Sequence, residues 1–223
     1  MALIKKFRIK SFKEQKALLK LDKISMFYNK RQILNDLNLE INKQEILGML
    51  GPNGVGKSTI FHIITGLKDP SYGKVFINGV DCTSIPIYER ATKFKLGYVP
   101  QYGGFIQDLN LLENLKLVGE IHIKEKDLRK TKIEKIISQF EFDPLLEIKA
   151  KHLSGGQKKK LVIAMALIND PNILLLDEPF AALDILTIKM LQEIIVNLQA
   201  LEKITVVVCD HQARDLLSCV DRA

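Results

Sequence analysis

No apolar run in this 223-residue chain approaches the roughly 18 residues that a membrane-spanning helix needs, the longest candidates being segments such as Leu161 to Ile168. Any role at a membrane is therefore expected to require a partner. Cysteine is scarce. Cys82, Cys209 and Cys219 lie far apart with no C-x-x-C pair, which speaks against a disulfide framework or a structural metal and for a reducing compartment. The N-terminus lacks a continuous apolar stretch followed by a small-residue cleavage site, so no secretory leader is read and the cytoplasm is the expected location. Heptads and internal repeats are also missing, which removes long coiled coils and solenoid arrays from consideration.

What is present begins with 47% hydrophobic residues, enough for a proper core in one large domain or two small ones. The formal charge of +7 is unevenly placed. Lys5, Lys6, Arg8, Lys10, Lys13, Lys16 and Lys20 stand against the single acid Glu14 in residues 1–20, so nearly all the net charge belongs to a basic tail. Leu3, Ile4, Phe7, Ile9 and Phe12 interleave with those cations. The tail reads as a solvated segment, with an anionic lipid surface as the alternative and nucleic acid behind both; no nucleic-acid partner is expected.

From Leu21 onward short strands alternate with helices, the pattern of an α/β domain. Strands are expected at Leu21 to Tyr28, Leu37 to Ile41, Gly73 to Ile77 with an Asn78-Gly79 turn, and Leu96 to Val99 ending at Pro100. From Leu111 to about Ala150 the signals become helical and charged, and Ile133, Ile136, Ile137 and Phe140 make one apolar face, so a helical insertion at about residues 101–160 is expected. The alternation then resumes: a helix from about Ser154 to Asn169, a buried strand Ile173 to Leu176, and a helix with Leu191, Ile194, Ile195 and Leu198 on one face. A strand from Ile204 to Cys209 and a last helix carrying Ala213, Leu216, Leu217 and Val220 follow.

Three clusters carry chemistry. Gly51-Pro52-Asn53-Gly54-Val55-Gly56-Lys57-Ser58 has the spacing G-x-x-x-x-G-K-[ST] and follows the apolar stretch Ile46 to Leu50. Its glycines let successive N–H groups turn inward toward phosphate oxygens, Lys57 sets a cation against the β and γ phosphates, Ser58 offers a hydroxyl to Mg²⁺, and the following helix adds its positive dipole end. Asp177-Glu178 ends the buried strand at the edge where open α/β sheets bind ligands. Two adjacent buried acids need a cation, and beside such a loop Mg²⁺ held through Asp177 is the simplest, leaving Glu178 to orient or deprotonate a water. Ser154-Gly155-Gly156-Gln157 reads as a helix start with a capping box, and its two glycines as a bare N-terminus open to a phosphate.

Leu153-Ser154-Gly155-Gly156-Gln157 is also the L-S-G-G-Q signature by which the chain resembles the ATP-binding-cassette (ABC) ATPases. In order along the chain, Tyr28 resembles the aromatic that stacks on adenine, and Gly51 to Ser58 the Walker A loop with Thr59 adjoining. Gln101 resembles the Q-loop glutamine that senses Mg²⁺ and water, Asp177 and Glu178 the Walker B acid and catalytic glutamate, Ala182-Leu183-Asp184 the D-loop, and His211 the switch histidine. The resemblance, over about residues 21–223, implies a P-loop NTPase fold of the ABC type: a RecA-like core, an antiparallel β part and an inserted helical subdomain. It implies ATP and Mg²⁺ as cofactors, with Ser58, Gln101 and Asp177 at the metal, and catalysis by Glu178, His211 and Gln101. It further implies a homodimer in which Ser154 to Gln157 complete the partner's ATP site, docked on integral membrane subunits at the cytoplasmic face.

Within the family, Ser84 to Ala91, Asp177 to Ala182 and Asp210 to Leu217 are most similar to the lipopolysaccharide-export ATPases of Gram-negative bacteria, with branched-chain amino-acid importer ATPases as the alternative. Three departures stand out. Val162 and Met165 replace a Glu and an Arg frequent in relatives, read as a neutral packing change; the basic tail is extra; and the end at Ala223, before further strands of the family, reads as truncation.

Overall fold

The computed structural model describes residues 17–223. In chain order it comprises β1 (Leu19–Tyr28), β2 (Arg31–Ile41), β3 (Ile46–Leu50), α1 (Lys57–Thr65), β4 (Tyr72–Ile77), β5 (Val80–Asp81), α2 (Ile87–Lys93) and β6 (Leu96–Val99). There follow α3 (Leu111–His122), α4 (Lys126–Phe140), α5 (Gly155–Leu167), β7 (Ile173–Asp177), α6 (Ile185–Ala200), β8 (Thr205–Asp210) and α7 (Ala213–Leu217), with short 3₁₀ turns at Asp143–Leu145 and Ala150–His152. The strands form two four-stranded sheets, an antiparallel one in the order β2-β1-β4-β5 and a parallel one in the order β3-β8-β7-β6.

The parallel sheet explains the unbroken apolar runs. Every residue of β7 and β8 is buried, because helices cover both faces. Phe61, Ile63 and Ile64 of α1 pack on one face with Leu175, Val207 and the antiparallel sheet, while α5 and α6 pack on the other against Leu174, Leu176, Val206 and Val208. The antiparallel strands alternate instead, β1 burying Leu19, Leu21, Ile24 and Met26.

Several boundaries differ from the sequence expectation. β1 starts at Leu19, and Leu18 beside it is also buried, so the expected tail boundary at residue 20 cuts into the sheet. The basic tail, expected to be solvated with lipid contact as the alternative, falls mainly on residues 1–16, outside the described residues. β2 begins at Arg31 rather than Leu37, because Tyr28 pairs with Arg31 across a tight Asn29-Lys30 turn; the polar Arg31, Gln32, Asn35 and Asp36 conceal an outer strand whose side chains are largely exposed. The edge of the helical insertion near residue 160 falls inside α5. Residues 155–160 of that helix are mostly accessible, and Leu161 to Met165 are buried in the main core.

The last helix is also shorter than expected. It ends at Leu217, which is exposed, and the chain turns so that Val220 approaches Gly48, where a side chain would meet Val220 at 3.1 Å. Asp221 and Arg222 then lie along β3, the Asp221 N–H donating to the Ile46 carbonyl and the Gly48 N–H to that of Arg222. Val220 therefore belongs to the approach to a sheet edge rather than to a helix face.

Arg90 of α2 ties the two halves together. It is fully buried, and its guanidinium donates to the carbonyls of Ile63 and Ile64 at the end of α1 and to those of Ile85 and Thr83, at 2.6–2.9 Å. Among the described residues no carboxylate lies at ion-pair distance from it; four carbonyl oxygens, two at the negative end of the α1 dipole, satisfy it.

Candidate functional site

The loop between β3 and α1 curls because Gly54 and Gly56 adopt left-handed backbone angles, φ 80° and 109°. Among the described residues the backbone N–H groups of Gly54, Gly56, Lys57 and Ser58 donate no hydrogen bond, which leaves a nest of donors at the N-terminus of α1. Lys57 is buried, and its ammonium donates to the carbonyls of Gly51 (2.7 Å) and Pro52 (3.1 Å). A concave set of unsatisfied donors with a cation inside it fits the polyphosphate of a nucleotide.

The ends of β7 and β8 place the acids beside that loop. Asp177 accepts from Ser58 Oγ (3.1 Å) and Cys209 Sγ (2.8 Å) on Oδ1, and from the Tyr98 hydroxyl (3.3 Å) on Oδ2. Burial, reinforced by the charge on Asp177, raises the pKa of both the Tyr98 phenol and the Cys209 thiol, so both are protonated donors. Ser58 Oγ and the Asp177 carboxylate are hard oxygen donors next to the free N–H groups, a set suited to Mg²⁺.

Glu178 is almost fully buried and has three neighbours. Gln101 Nε2 donates to its Oε2 at 2.7 Å, His211 Nδ1 stands 3.3 Å from the same oxygen, and Lys57 Nζ is 3.9 Å from Oε1. Its backbone is left-handed, φ 44°, a costly conformation for a side chain of this length, and its N–H is held by the Cys209 carbonyl. The strand end is thereby turned so that consecutive acids point to different neighbours. Asp210 supports the turn, accepting from the N–H groups of Phe180 and Gln212.

Lys57, Ser58, Asp177, Glu178, Gln101 and His211, chosen from positions as far apart as 57 and 211, thus meet in one site. Residues 34–181 match the family profile described as ABC transporter. The chain belongs to the ABC transporter family. It is 38% identical over 196 residues to an uncharacterized ABC transporter ATP-binding protein of Rhizobium meliloti, covering 88% of this chain and 72% of that protein. To the lipopolysaccharide export system ATP-binding protein LptB of Haemophilus influenzae it is 35% identical over 93% of this chain and 86% of the relative, and to LptB of Escherichia coli K12 32% over 88% and 81%.

Among solved structures, the ATP-binding cassette MJ1267 of an ABC transporter superimposes with a TM-score of 0.83 at 26% identity, covering 92% of this chain and 86% of the other. The dimeric post-hydrolysis structure of the cassette MJ0796, bound to ADP and Pi, gives 0.79 at 29% identity, covering 90% and 91%. The chain is accordingly an ATP-binding, ATP-hydrolysing ABC cassette, and its two sheets and inserted helices are those of the ABC fold.

Two expected elements of the cassette stand apart from this cluster. Tyr28 lies at the end of β1, partly exposed, with the Lys68 ammonium 4.3 Å above its ring, and makes no hydrogen bond or ring contact to residues 51–59. Ser154 caps α5 in the expected capping box, its Oγ accepting from Gln157 N–H and Gln157 Oε1 from Ser154 N–H; neither residue bonds the loop of its own chain. The second glycine has a packing reason as well. Gly156 is buried, and a Cβ there would come within 2.5 Å of Thr187 Cγ2, so the close approach of α6 by itself calls for a glycine at this position; Gly155 is the exposed one.

Sequence reasoning passed over Tyr98, Cys209, Asp210 and Lys159. Lys159 of α5 sends its ammonium to the carbonyls of Gln101 (3.1 Å) and Pro100 (3.4 Å), tying the signature helix to the loop that carries Gln101. The signal for Cys209 was positional: β8 pairs in register with β7, which sets Cys209 directly opposite Asp177.

Proposed function

We propose that this chain powers lipopolysaccharide extraction and export from the inner membrane, working as a homodimer in its ATP state against integral membrane subunits at the cytoplasmic face. The convergence of Gln101, His211 and Lys57 on Glu178 carries the catalytic part of this reading. The relatives named LptB, matched over more than four-fifths of their length, support the cargo. Among the described residues no helix is long and apolar enough to cross a membrane, which agrees with a peripheral subunit.

In this reading the N–H groups of residues 54–58 and Lys57 take the β and γ phosphates, Lys57 exchanging the carbonyls of Gly51 and Pro52 for phosphate oxygens. Gly51, Pro52, Asn53 and Thr59 frame the loop, and Tyr28 receives adenine on the ring face opposite Lys68. Ser58, Asp177 and the amide oxygen of Gln101 would hold Mg²⁺, which when bound neutralises charge on the phosphate oxygens. Glu178 accepts a proton from the attacking water as the bond from the γ-phosphorus to the β–γ bridging oxygen breaks, giving ADP and phosphate. Gln101 and His211 hold the Glu178 carboxylate toward that water. Ser154, Gly155, Gly156 and Gln157 complete the partner's site, with Gly155 and the α5 N-terminus facing its phosphates.

Glu178→Gln keeps the hydrogen-bonding shape and loses the base. The variant is expected to accumulate as an ATP-bound dimer on size exclusion and to co-purify from native membranes with lipopolysaccharide-export subunits. Undiminished hydrolysis would refute the role of Glu178, and recovery with an amino-acid permease would redirect the cargo to import.

A further inference from the structure

Asp177 receives donors from three elements, and only Ser58 belongs to the nucleotide loop. The other two come from the strands on either side: Cys209 from β8, directly across the ladder, and Tyr98 from β6. Both side chains sit in the apolar layer beneath α1, where Leu175 and Val207 are their neighbours. A valine at 209 or a phenylalanine at 98 would fill that layer equally well, so the thiol and the hydroxyl are the excess over packing. The Tyr98 ring is itself held edge-on by Phe61 and His62, with centroids 6.3 Å away in both cases.

We infer that Tyr98 and Cys209 are positioning residues for the metal site, clamping one oxygen each of the Asp177 carboxylate so that it meets Mg²⁺ in a fixed orientation. The inference rests on the reading of Asp177 as the Mg²⁺ carboxylate. A carboxylate at the end of a strand rotates about two bonds; one donor on Oδ2 and one on Oδ1 stop both rotations. Ser58 and Cys209 share Oδ1, so when the Ser58 hydroxyl turns to the metal the thiol keeps that oxygen in place. Supporting hydrogen bonds of this kind are worth on the order of 10- to 100-fold in metal affinity when lost.

The test uses the full chain and a fluorescent ATP analogue, titrated in EDTA and across a Mg²⁺ series. Tyr98→Phe and Cys209→Ala are each expected to raise the Mg²⁺ concentration for the half-maximal metal-dependent gain by about 10-fold. Affinity in EDTA should stay unchanged, and Cys209→Ser, which keeps a donor, should lie near wild type. Without metal, the infrared S–H stretch of Cys209 should shift in Asp177→Asn. If Asp177→Asn abolishes the Mg²⁺ response while both other variants leave its midpoint unmoved, the clamp is wrong and the metal reading stands. A Mg²⁺ response that survives Asp177→Asn overturns the metal reading and the clamp with it. Loss of affinity in EDTA together with the Mg²⁺ effect would show that both residues only maintain the fold.

Discussion

Arg90 shows what one side chain can hold at a distance from the chemistry. Its guanidinium closes the C-terminal end of α1, the helix whose other end presents the unbonded N–H groups of the Gly51–Ser58 loop, and joins it to the segment that leads into β6 and Gln101. Burial pulls its pKa down, yet it stays charged, since an arginine does not deprotonate in this range. Arg90→Ala would leave the carbonyls of Ile64, Ile85 and Thr83 without a donor, that of Ile63 keeping the Gly66 N–H, and a void the size of the largest fully buried side chain among the described residues. A loss of about 3 kcal/mol or more is expected, measured by urea unfolding at neutral pH. Arg90→Lys, which reaches fewer carbonyls from a single point, should recover only part of it.

At the scale of elements, the contact between α5 and α6 is the most exacting. Thr187 is held by its hydroxyl on Asp184 Oδ2 at 2.6 Å, and that carboxylate also caps α6 through the N–H groups of Leu186 and Thr187. The cap keeps the threonine from turning away, so its methyl stays over Gly156. Gly156→Ala is expected to cost about 1–3 kcal/mol despite the better helix propensity of alanine, because an overpacked contact cannot relax. Adding Thr187→Ser removes the methyl, keeps the hydroxyl and should restore most of the loss. A thermal double-mutant cycle reads the coupling, and additive losses would show that the two helices do not press on each other there.

The same contact marks where sequence reading stops. Pairs of residues far apart in the chain but adjacent across two helices, such as Gly156 and Thr187, leave no local periodicity, and the glycine was attributed to its ligand rather than to its neighbour. The outer half of β2 was hidden by polar residues that suit a strand exposed on one face. By contrast the loop from Gly51 to Ser58, the buried runs of β7 and β8, and the capping box at Ser154 were legible, because each is written in consecutive residues whose backbone or burial demands are local. Tyr98 and Cys209 were invisible for the opposite reason. Their partner is set by sheet order, and strand order is not a property of any one segment.

At the scale of the molecule, the nucleotide loop and the signature residues lie in one chain without a hydrogen bond between them. If each site is shared between two copies, damage to its halves can be separated. Lys57→Ala disables a loop and spares the signature; Gly155→Glu does the reverse, setting a carboxylate against a phosphate. Each variant alone is expected to be inactive. Mixed in equal amounts they should recover roughly a quarter of the wild-type hydrolysis rate, since half the dimers are mixed and each of those has one of its two sites intact. No recovery on mixing would mean that each chain hydrolyses ATP within itself or that both sites must fire together.

The passage of α5 from the accessible helical part into the main core has a mechanical consequence. Thirteen residues of continuous helix make a rod about 20 Å long, gripped along its second half by Leu161, Ile163, Ala164 and Leu167 and carrying Gly155 at its outer tip. The tip is held as well: a Cβ at Gly156 would press on Thr187 and one at Gly155 would touch Leu183, so this rod moves only together with the start of α6. Whatever presses on that tip from outside is therefore passed both to the start of α6 and, through Ala166 against Gly97, to β6, the strand that runs into Gln101.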